Sequence, residues 1–448
     1  MDGIGSKTKS RNRRVLMITP RFYPCHYIGA HRTGKFAKYL PEFGFETIVV
    51  TVAPSLGGWK VDEALLNQIP KTTEIINTFY LSRERFKSFL NKFRNVFKGS
   101  NDTISNKDGG ANDSNVLSVG QRLQSWVSVP DGDIFWVLWA VKASLKATRR
   151  ADVIFVSAPA FSNLVIAAII KRLTSIPLVI DLRDPWTPNL TRVFPTRLHR
   201  WVDHFMERWS FMKADAIVCN TEALRKRYCQ LYPQIESSRF FVITNGYDDE
   251  DFVNLPKIPK KGDKLRLGYF GTIYAGRNPA PLFCAAKNVI DKGLIPQERL
   301  EFVFFGPSSD IVRQIAERAN VSDMVSAYDS VPYAQALREM AACNILLIIG
   351  SAETDMLHIP GKTYEYMALQ KPILALSKDG ALSELMDYNK FGIRVDPEHP
   401  REIEEALVDL WNDFRSENAN KYICTDSKRF SRRELTRKLA EILRGVIK

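Results

Sequence analysis

Short runs of apolar and β-branched residues alternate with segments of helical periodicity along this chain. In the first half, such runs predict strands at 15–19, 47–52, 153–157, 178–182, 216–219 and 240–244. Helical periodicity lies between several of them, notably over 30–40, 162–173 and 199–212. The alternation resumes with runs at 265–270, 301–305, 345–349 and 373–376, and a last helical run covers about 430–445. Because strands that alternate with helices form βαβ units, the pattern predicts an α/β fold with parallel sheets covered on both faces.

The stretch 254–264, NLPKIPKKGDK, is rich in Pro and Lys and has no periodicity. It predicts a linker between two doubly wound, Rossmann-like domains, which we place at 13–253 and 264–425. Ligands of such sheets bind at the carboxyl ends of the strands, so we expect the site in the cleft between the two domains.

Residues 83–98, RERFKSFLNKFRNVFK, combine an apolar stripe with a net charge of +5. The predicted membrane-contact residues are Phe86, Phe89, Leu90, Phe93, Phe97, Lys92 and Arg94. A basic helix with a Phe stripe is typical of an interfacial membrane helix, and the alternative is a helix that packs its Phe face on the core. Together with the Gly/Asn/Ser/Asp-rich loop at 99–118, it forms an insertion at 83–118.

Composition narrows the class of protein. At 448 residues the chain is long for one domain, and its formal charge of +13 favours anionic partners. Basic residues are not interleaved with aromatic ones outside 83–98, so we do not expect nucleic acid as a partner. Six scattered cysteines without a CxxC pair favour a reduced, cytosolic protein. No apolar stretch of about 18 residues is present, so any membrane contact is expected to be peripheral.

The segment 359–374, IPGKTYEYMALQKPIL, predicts a loop, a short helix over 362–369 and a buried strand. A helix N-terminus suits a phosphate, and Lys362 adds a full positive charge in the first turn. Glu365, one turn further on, can accept hydrogen bonds from sugar hydroxyls. The pattern is typical of a nucleotide-sugar site, although an ordinary amphipathic unit with solvated Lys and Glu fits equally well.

Three further strand ends carry candidate chemistry. Gly29 follows the first strand and permits close approach of a phosphate, or simply starts the helix. Arg277, in GYFGTIYAGR, can clamp a diphosphate with its planar fork. After the strand LVIDL, Asp184 could orient or deprotonate an acceptor hydroxyl and Arg183 could bind an acceptor phosphate. A buried Arg–Asp pair or a helix cap is the alternative for these two residues.

Two acidic patterns predict local structure rather than chemistry. Asp131-Gly132-Asp133 matches a metal-binding DxD, but it lies in a Pro/Gly turn and favours a turn or cap. The run 248–251 predicts a solvated helix start with Asp at or near the N-cap. No metal site is expected.

The chain resembles glycosyltransferase family 4. The resemblance rests on the motifs PRFYP, VIDLRDPW, IVCNT, ITNGYD, YFGTIYAGR, GKTYEYMALQKPI and FSRRELTRKL, in this order over roughly 13–445. It implies a GT-B fold and a retaining transferase that takes a sugar from a nucleotide-diphosphate donor without a metal or another cofactor. It also implies an acceptor domain at 13–253, a donor domain at 264–425 and a C-terminal segment, 426–448, that packs back on the first domain.

By the same resemblance, Glu365 is expected to bind the ribose. Arg277 and Lys362 would clamp the diphosphate, and Gly29 would form the glycine loop of the first domain. The predicted donor-binding residues are Gly29, Tyr274, Arg277, Gly306, Val331, Lys362, Thr363 and Glu365, and the predicted catalytic residues are Asp184, Arg183, Arg277 and Lys362.

The sequence also departs from the family pattern. The first Glu of the E-x7-E found in many relatives would fall at Leu357, and Glu353 and Asp355 are out of register. Relatives often carry a His where this chain has Arg183 or Asp184.

The sequence therefore predicts a cytosolic glycosyltransferase at the inner face of a membrane. Its partners would be a nucleotide sugar, a membrane-proximal or lipid-linked glycan acceptor and the anionic membrane surface. The alternatives are a nucleotide-sugar epimerase on a related fold and a non-catalytic membrane scaffold that retains a nucleotide pocket.

Overall fold

The computed structural model describes most of the chain. The described residues are 12–81, 129–189, 192, 194–253, 255, 263–274, 276–351, 356–416, 419–422 and 424–447. The segment 83–118, with the membrane contacts predicted for it, lies outside them, and so do Glu353 and Asp355. The chain divides into two compact units, described separately below. Unit 1 comprises 1–218, 232–241 and 439–448, and unit 2 comprises 219–231 and 242–438.

Unit 1 is built on a seven-stranded sheet. Its strands are β1 (Arg13–Ile18), β2 (Phe45–Val52), β3 (Glu74–Thr78), β4 (Val153–Ala158), β5 (Leu178–Leu182), β6 (Ala216–Cys219) and β7 (Phe240–Val242). The strand order is β3-β2-β1-β4-β5-β6-β7, and the pairs from β3 to β5 are parallel. Every residue of β4 is buried, as expected for a parallel strand covered on both faces.

The helices of unit 1 cover this sheet. They are α1 (Ile28–Tyr39), α2 (Pro54–Gly57), α3 (Val137–Ala147), α4 (Ser162–Thr174) and α5 (Arg197–Lys213). The next helix, α6 (Glu222–Leu231), belongs to unit 2.

Unit 2 repeats the same topology. Its strands are β8 (Leu265–Phe270), β9 (Leu300–Phe305), β10 (Val325–Tyr328), β11 (Ile345–Ile349), β12 (Ile373–Leu376) and β13 (Gly392–Val395). The order is β10-β9-β8-β11-β12-β13, with all five pairs parallel. Its further helices are α7 (Ala280–Asp291), α8 (Ser309–Arg318), α9 (Tyr333–Ala342), α10 (Lys362–Ala368), α11 (Ala381–Asn389) and α12 (Pro400–Arg415).

The last helix, α13 (Arg432–Val446), starts in unit 2 and ends in unit 1, to which residues 439–448 belong. Near its end, Arg444 donates a hydrogen bond to the Phe43 carbonyl at 2.6 Å, and its guanidinium lies 5.7 Å from the Phe45 ring centroid. Residues 219–231 and 242–253, predicted within the first domain, fall in unit 2.

The predicted architecture of two Rossmann-like, parallel-sheet domains is confirmed. Three strands were missed, β3, β10 and β13, which carry partly exposed residues where a fully apolar run was expected. None of the helices in the described ranges is long and apolar enough to cross a bilayer.

Each of the two acidic patterns provides one helix cap. Asp131 caps the short 3-10 helix Gly132–Trp136, and its carboxylate also accepts from the Ser162 amide at 3.1 Å. Asp133 accepts hydrogen bonds from Arg21 and Tyr80, both at 2.8 Å. The cap predicted for Asp131 is therefore confirmed.

Further along the chain, Asp248 caps the 3-10 helix Asp249–Phe252, as predicted, by accepting from the Glu250 amide at 3.3 Å. However, Asp248 is buried rather than solvated.

Candidate functional site

The candidate site of unit 2 lies where the strand order reverses, between β8 and β11. Ligands of doubly wound sheets bind outside the carboxyl ends of the strands at this point. The loop after β8 contains Gly271, Tyr274, Gly276 and Arg277, and the loop after β11 begins with Gly350. A Cβ at Gly276 would lie 2.6 Å from the Ser351 hydroxyl oxygen, so the two loops touch.

A second close contact joins the loops after β8 and β9. A Cβ at Gly306 would lie 2.1 Å from the Gly271 carbonyl oxygen, a distance that no side chain tolerates. Gly306 was predicted to contact a ligand through its backbone. Its position shows that glycine is needed there for the approach of two backbones.

Lys362 begins α10, but its ammonium group is not solvated. The Nζ atom is buried, lies 3.4 Å from the Tyr269 ring centroid, and has no hydrogen-bond partner in the described part of the chain. Burial, and then repulsion by Arg277, hold the pKa of Lys362 well below its ordinary value, while Glu365 acts in the opposite direction. A buried ammonium group at this position needs an anionic partner to stay charged. The helix that Lys362 begins has only seven residues.

Arg277 interacts with two tyrosines, Tyr274 and the Tyr269 that contacts Lys362. Its guanidinium carbon is 4.9 Å from the Tyr274 ring centroid, and its positive charge opposes the rise that burial causes in the pKa of Tyr269. Its Nε is buried and lacks a hydrogen-bond partner among the described residues. Tyr269 therefore interacts with both cationic side chains, and its hydroxyl donates to the Thr272 carbonyl at 3.1 Å.

A cavity of about 420 Å³ adjoins Arg277. Tyr274 and Arg277 line it together with aliphatic side chains such as Ile311 and Ile315 and a second cation, Arg318. Its volume is that of a small-molecule pocket. Lys362 and Glu365 do not line it.

Glu365 completes the cluster of Arg277, Lys362 and Glu365. Its carboxylate accepts a hydrogen bond from the Tyr333 hydroxyl at 2.9 Å. Burial raises the pKa of Glu365, whereas the Tyr333 hydrogen bond and the charges of Arg432 and Lys362 lower it. The carboxylate is held in place but keeps oxygen lone pairs that can accept from further hydroxyls.

Two other predicted residues lie deeper. Thr363 is fully buried, and its hydroxyl has no hydrogen-bond partner within the described ranges. Val331 is partly buried and packs against the apolar cluster that contains Tyr364 and Phe305. Tyr274, in contrast, is 44% exposed.

The candidates of unit 1 form a separate arrangement. Gly29 lies inside the first turn of α1 rather than before it. Arg183 donates hydrogen bonds to the carbonyl oxygens of Gly29, Pro159 and Ala158, the last at 3.3 Å. A Cβ at Gly29 would lie 2.6 Å from Arg183 Nη1, so glycine here makes room for the guanidinium. Burial lowers the pKa of Arg183, and the charge of Asp184 opposes that shift.

Sequence reasoning missed the aromatic partners of the site. Tyr269 and Tyr333 position Lys362 and Glu365, yet Tyr269 belongs to a strand and Tyr333 to a different helix. It also missed the buried Arg32–Asp181 pair, with two hydrogen bonds of 2.9 and 2.7 Å. A charged residue inside the apolar run LVIDL was the available signal for Asp181.

Within the described ranges, no group of three or more His, Cys, Asp and Glu side chains is arranged to hold a metal ion. The polar groups that the structure gathers at this site are two cationic side chains, one carboxylate and tyrosine hydroxyls.

Two protein-family models match consecutive parts of the chain. The one described as Glycosyltransferase Family 4 matches residues 102–251, and the one described as Glycosyl transferases group 1 matches residues 264–413. The chain is a glycosyltransferase. The predicted resemblance to family 4 is confirmed at this level, and retention of configuration stays a prediction.

A curated relative agrees with this glycosyltransferase assignment. The chain is 26% identical over 157 residues to the probable glycosyltransferase WbjE of Pseudomonas aeruginosa. The match covers 34% of this chain and spans only 36% of that relative.

Solved structures share the fold of this glycosyltransferase. Anabaena HepE in complex with UDP is 15% identical, with a TM-score of 0.60 over 97% of this chain and 100% of that one. WaaG, a glycosyltransferase involved in lipopolysaccharide biosynthesis, is 14% identical, with a TM-score of 0.57 over 96% of this chain and 100% of that one. At these identities the likeness shows the GT-B fold alone.

Proposed function

We propose that this glycosyltransferase takes a sugar from a nucleotide-diphosphate donor bound in unit 2. The observation that carries the proposal is the cluster of Arg277, Lys362 and Glu365 at the switch point of the sheet. Two cations suit a diphosphate and a carboxylate suits ribose hydroxyls. The structural likeness to HepE, which was solved with UDP and with UDP-glucose, supports a nucleotide sugar as donor.

The leaving diphosphate gives the two cations their catalytic role. Negative charge develops on it as the bond between the anomeric carbon of the sugar and the diphosphate oxygen breaks, and fixed cations stabilise that charge. An anion next to Lys362 raises the pKa of its amine, so binding restores the charge that burial disfavours. Tyr269 contacts Lys362 and interacts with Arg277, so one aromatic side chain links the two proposed diphosphate-binding residues.

Glu365 is proposed to hold the ribose. The hydrogen bond from Tyr333 fixes its rotamer, so that its remaining lone pairs face the nucleotide without further ordering. In the same proposal Asp184 orients an acceptor hydroxyl, while Arg183 links the first turn of α1, at Gly29, to the segment at Pro159.

The acceptor is proposed to be a membrane-proximal or lipid-linked glycan, used at the inner face of a membrane with retention of configuration. The net charge of +13 and the basic Phe segment 83–98 support this acceptor class. WaaG, of the same fold, is involved in lipopolysaccharide biosynthesis.

One assay separates the proposal from its alternatives. Purified protein is screened with UDP-, GDP- and ADP-sugars by thermal shift, and release of nucleoside diphosphate is then followed with the best donor. The transferase releases diphosphate slowly in water and faster with a glycan acceptor. An epimerase changes the donor without net release of diphosphate, and a scaffold binds without turnover, so either result contradicts the proposal.

A further inference from the structure

The helix α5 of unit 1 presents its apolar side to the outside. Leu198, Trp201, Phe205 and Met212 are 54%, 63%, 55% and 44% exposed. Their spacing of three, four and seven residues places them on one side of the helix. The rings of Trp201 and Phe205 stack with centroids 5.8 Å apart, which makes a continuous aromatic surface.

The opposite side of α5 is polar and buried. Asp203 and Glu207 are fully buried, and the Asp203 carboxylate accepts from Trp186 Nε1 at 3.0 Å and from Arg192 at 2.9 Å. Glu207 accepts from the Tyr232 hydroxyl at 2.6 Å.

Rotating α5 to bury Trp201 and Phe205 would carry both carboxylates away from these partners. Such a rotation is costly, because a buried charge that loses its partner is strongly destabilising. The hydrogen bonds of Asp203 and Glu207 therefore hold α5 in the orientation that leaves its apolar side exposed.

The charges around this apolar side have one sign. Arg197, Arg200 and Arg208 are exposed and Lys213 is partly exposed. The acids of the helix are Asp203 and Glu207, both turned inward. A helix with an exposed Trp/Phe/Leu surface and a rim of arginines is the arrangement that binds an anionic bilayer surface.

We infer that this face of α5, made of Leu198, Trp201, Phe205 and Met212 with its arginine rim, docks on an anionic membrane surface. A second copy of the chain fits the face less well, because a two-fold contact would bring two cationic rims together. The segment 83–98 of the same chain carries a net charge of +5 and would be repelled in the same way. The inference rests on the proposed membrane-proximal acceptor and assigns the contact to residues other than 83–98.

The test is flotation of the full chain with vesicles of phosphatidylcholine alone or with phosphatidylglycerol added. Three variants are compared with the wild type: Trp201→Glu with Phe205→Glu, Arg200→Glu with Arg208→Glu, and the control Leu294→Glu. Leu294 is an exposed apolar residue of unit 2, so its substitution tests whether a negative charge introduced away from α5 is enough to change flotation. Circular dichroism and molecular mass in solution are measured for each protein.

We expect the wild type and Leu294→Glu to float with phosphatidylglycerol vesicles and not with neutral ones. Both double variants should lose the interaction by about tenfold or more while remaining folded, since every substituted side chain is exposed. Release of diphosphate with a water-soluble acceptor should stay unchanged in all variants, which separates failure of this inference from failure of the donor site.

Three results would overturn the inference. The first is wild-type flotation by both double variants. The second is no flotation of the wild type on either vesicle. The third is a wild-type dimer that Trp201→Glu with Phe205→Glu converts to a monomer without a change in flotation.

Discussion

The ammonium nitrogen of Lys362 lies 3.4 Å from the centroid of the Tyr269 ring, and both this nitrogen and the tyrosine are buried in unit 2. The aromatic face stabilises the cation without a hydrogen bond. Burial, and then the positive charge of Arg277, work against the cation and keep the pKa of Lys362 low. Two cationic side chains that interact electrostatically, with donors left unpaired among the described residues, are organised for an anion.

The low pKa of Lys362 predicts a pH-dependent affinity for nucleoside diphosphate. A bound diphosphate raises this pKa, so the protein takes up protons on binding, and affinity falls as pH rises from the lowered pKa towards the raised one. Calorimetric titrations with UDP in buffers of different ionisation enthalpy measure this uptake. Lys362→Met should bind more weakly and show a flat profile over the same pH range. An equally steep profile in Lys362→Met would assign the titration to another group.

Replacing Arg277 should mainly lower turnover, with a smaller effect on the free energy of unfolding. Arg277→Ala removes a charge-assisted contact to the leaving diphosphate, worth about 1.5–3 kcal/mol, and thus slows donor use by roughly tenfold to a hundredfold. Arg318→Ala is the matched control, because Arg318 lines the same cavity. Steady-state diphosphate release measures both. Equal losses in the two variants would point to general electrostatic attraction rather than a specific clamp.

Glu365→Gln should weaken nucleotide-sugar binding by about tenfold or more, since an amide accepts ribose hydroxyls less strongly than a carboxylate. Tyr333→Phe keeps the carboxylate but removes the hydroxyl that donates to it at 2.9 Å, so a smaller loss is expected. Dissociation constants of both variants are measured for UDP, which contains the ribose, and for the free base, which does not. A Glu365→Gln variant with wild-type affinity for UDP would show that this carboxylate does not bind ribose.

Gly306→Ala should destabilise unit 2, because the new Cβ would lie 2.1 Å from the Gly271 carbonyl oxygen. The backbone must shift, at a cost of about 1–3 kcal/mol. Gly361→Ala meets nothing within 4 Å and should change the free energy of unfolding by less than about 0.5 kcal/mol. Denaturant unfolding compares the two. Similar stability of both variants would mean that the loops after β8 and β9 do not touch as described.

The Arg32–Asp181 pair should matter to stability rather than to donor binding. Asp181→Asn removes the carboxylate charge that faces the buried Arg32 guanidinium and is expected to cost about 3–5 kcal/mol. Glu74→Gln, which breaks the exposed pair with Arg150, should cost at most about 1 kcal/mol. The free energy of unfolding of the two variants is measured side by side. A small loss in Asp181→Asn would mean that the Arg32–Asp181 pair adds little to stability.

The strand pattern could be predicted because parallel strands buried on both faces are continuous apolar runs. Leu178–Leu182 and Ile345–Ile349 are such runs, and each was located to the residue. By contrast, β13 is partly exposed over three of its four residues, so it lacks that signal. Partly exposed edge strands such as β3, β10 and β13 escape prediction from apolar runs for this reason.

The site was predicted less completely than the fold. The motif residues Arg277, Lys362 and Glu365 do come together in unit 2, as electrostatic neighbours. The burial of Lys362 could not be predicted, because it depends on Tyr269, in a strand far along the chain. Likewise, Arg183 reaches the Gly29 carbonyl across 154 positions, and no local pattern records such a contact.

A crystal structure of the full chain with bound UDP tests the central claim most directly. The account predicts the diphosphate within hydrogen-bond distance of Arg277 and Lys362, and a ribose hydroxyl on the Glu365 carboxylate. UDP bound elsewhere, with Lys362 still enclosed against Tyr269 and no anion beside it, would contradict the account.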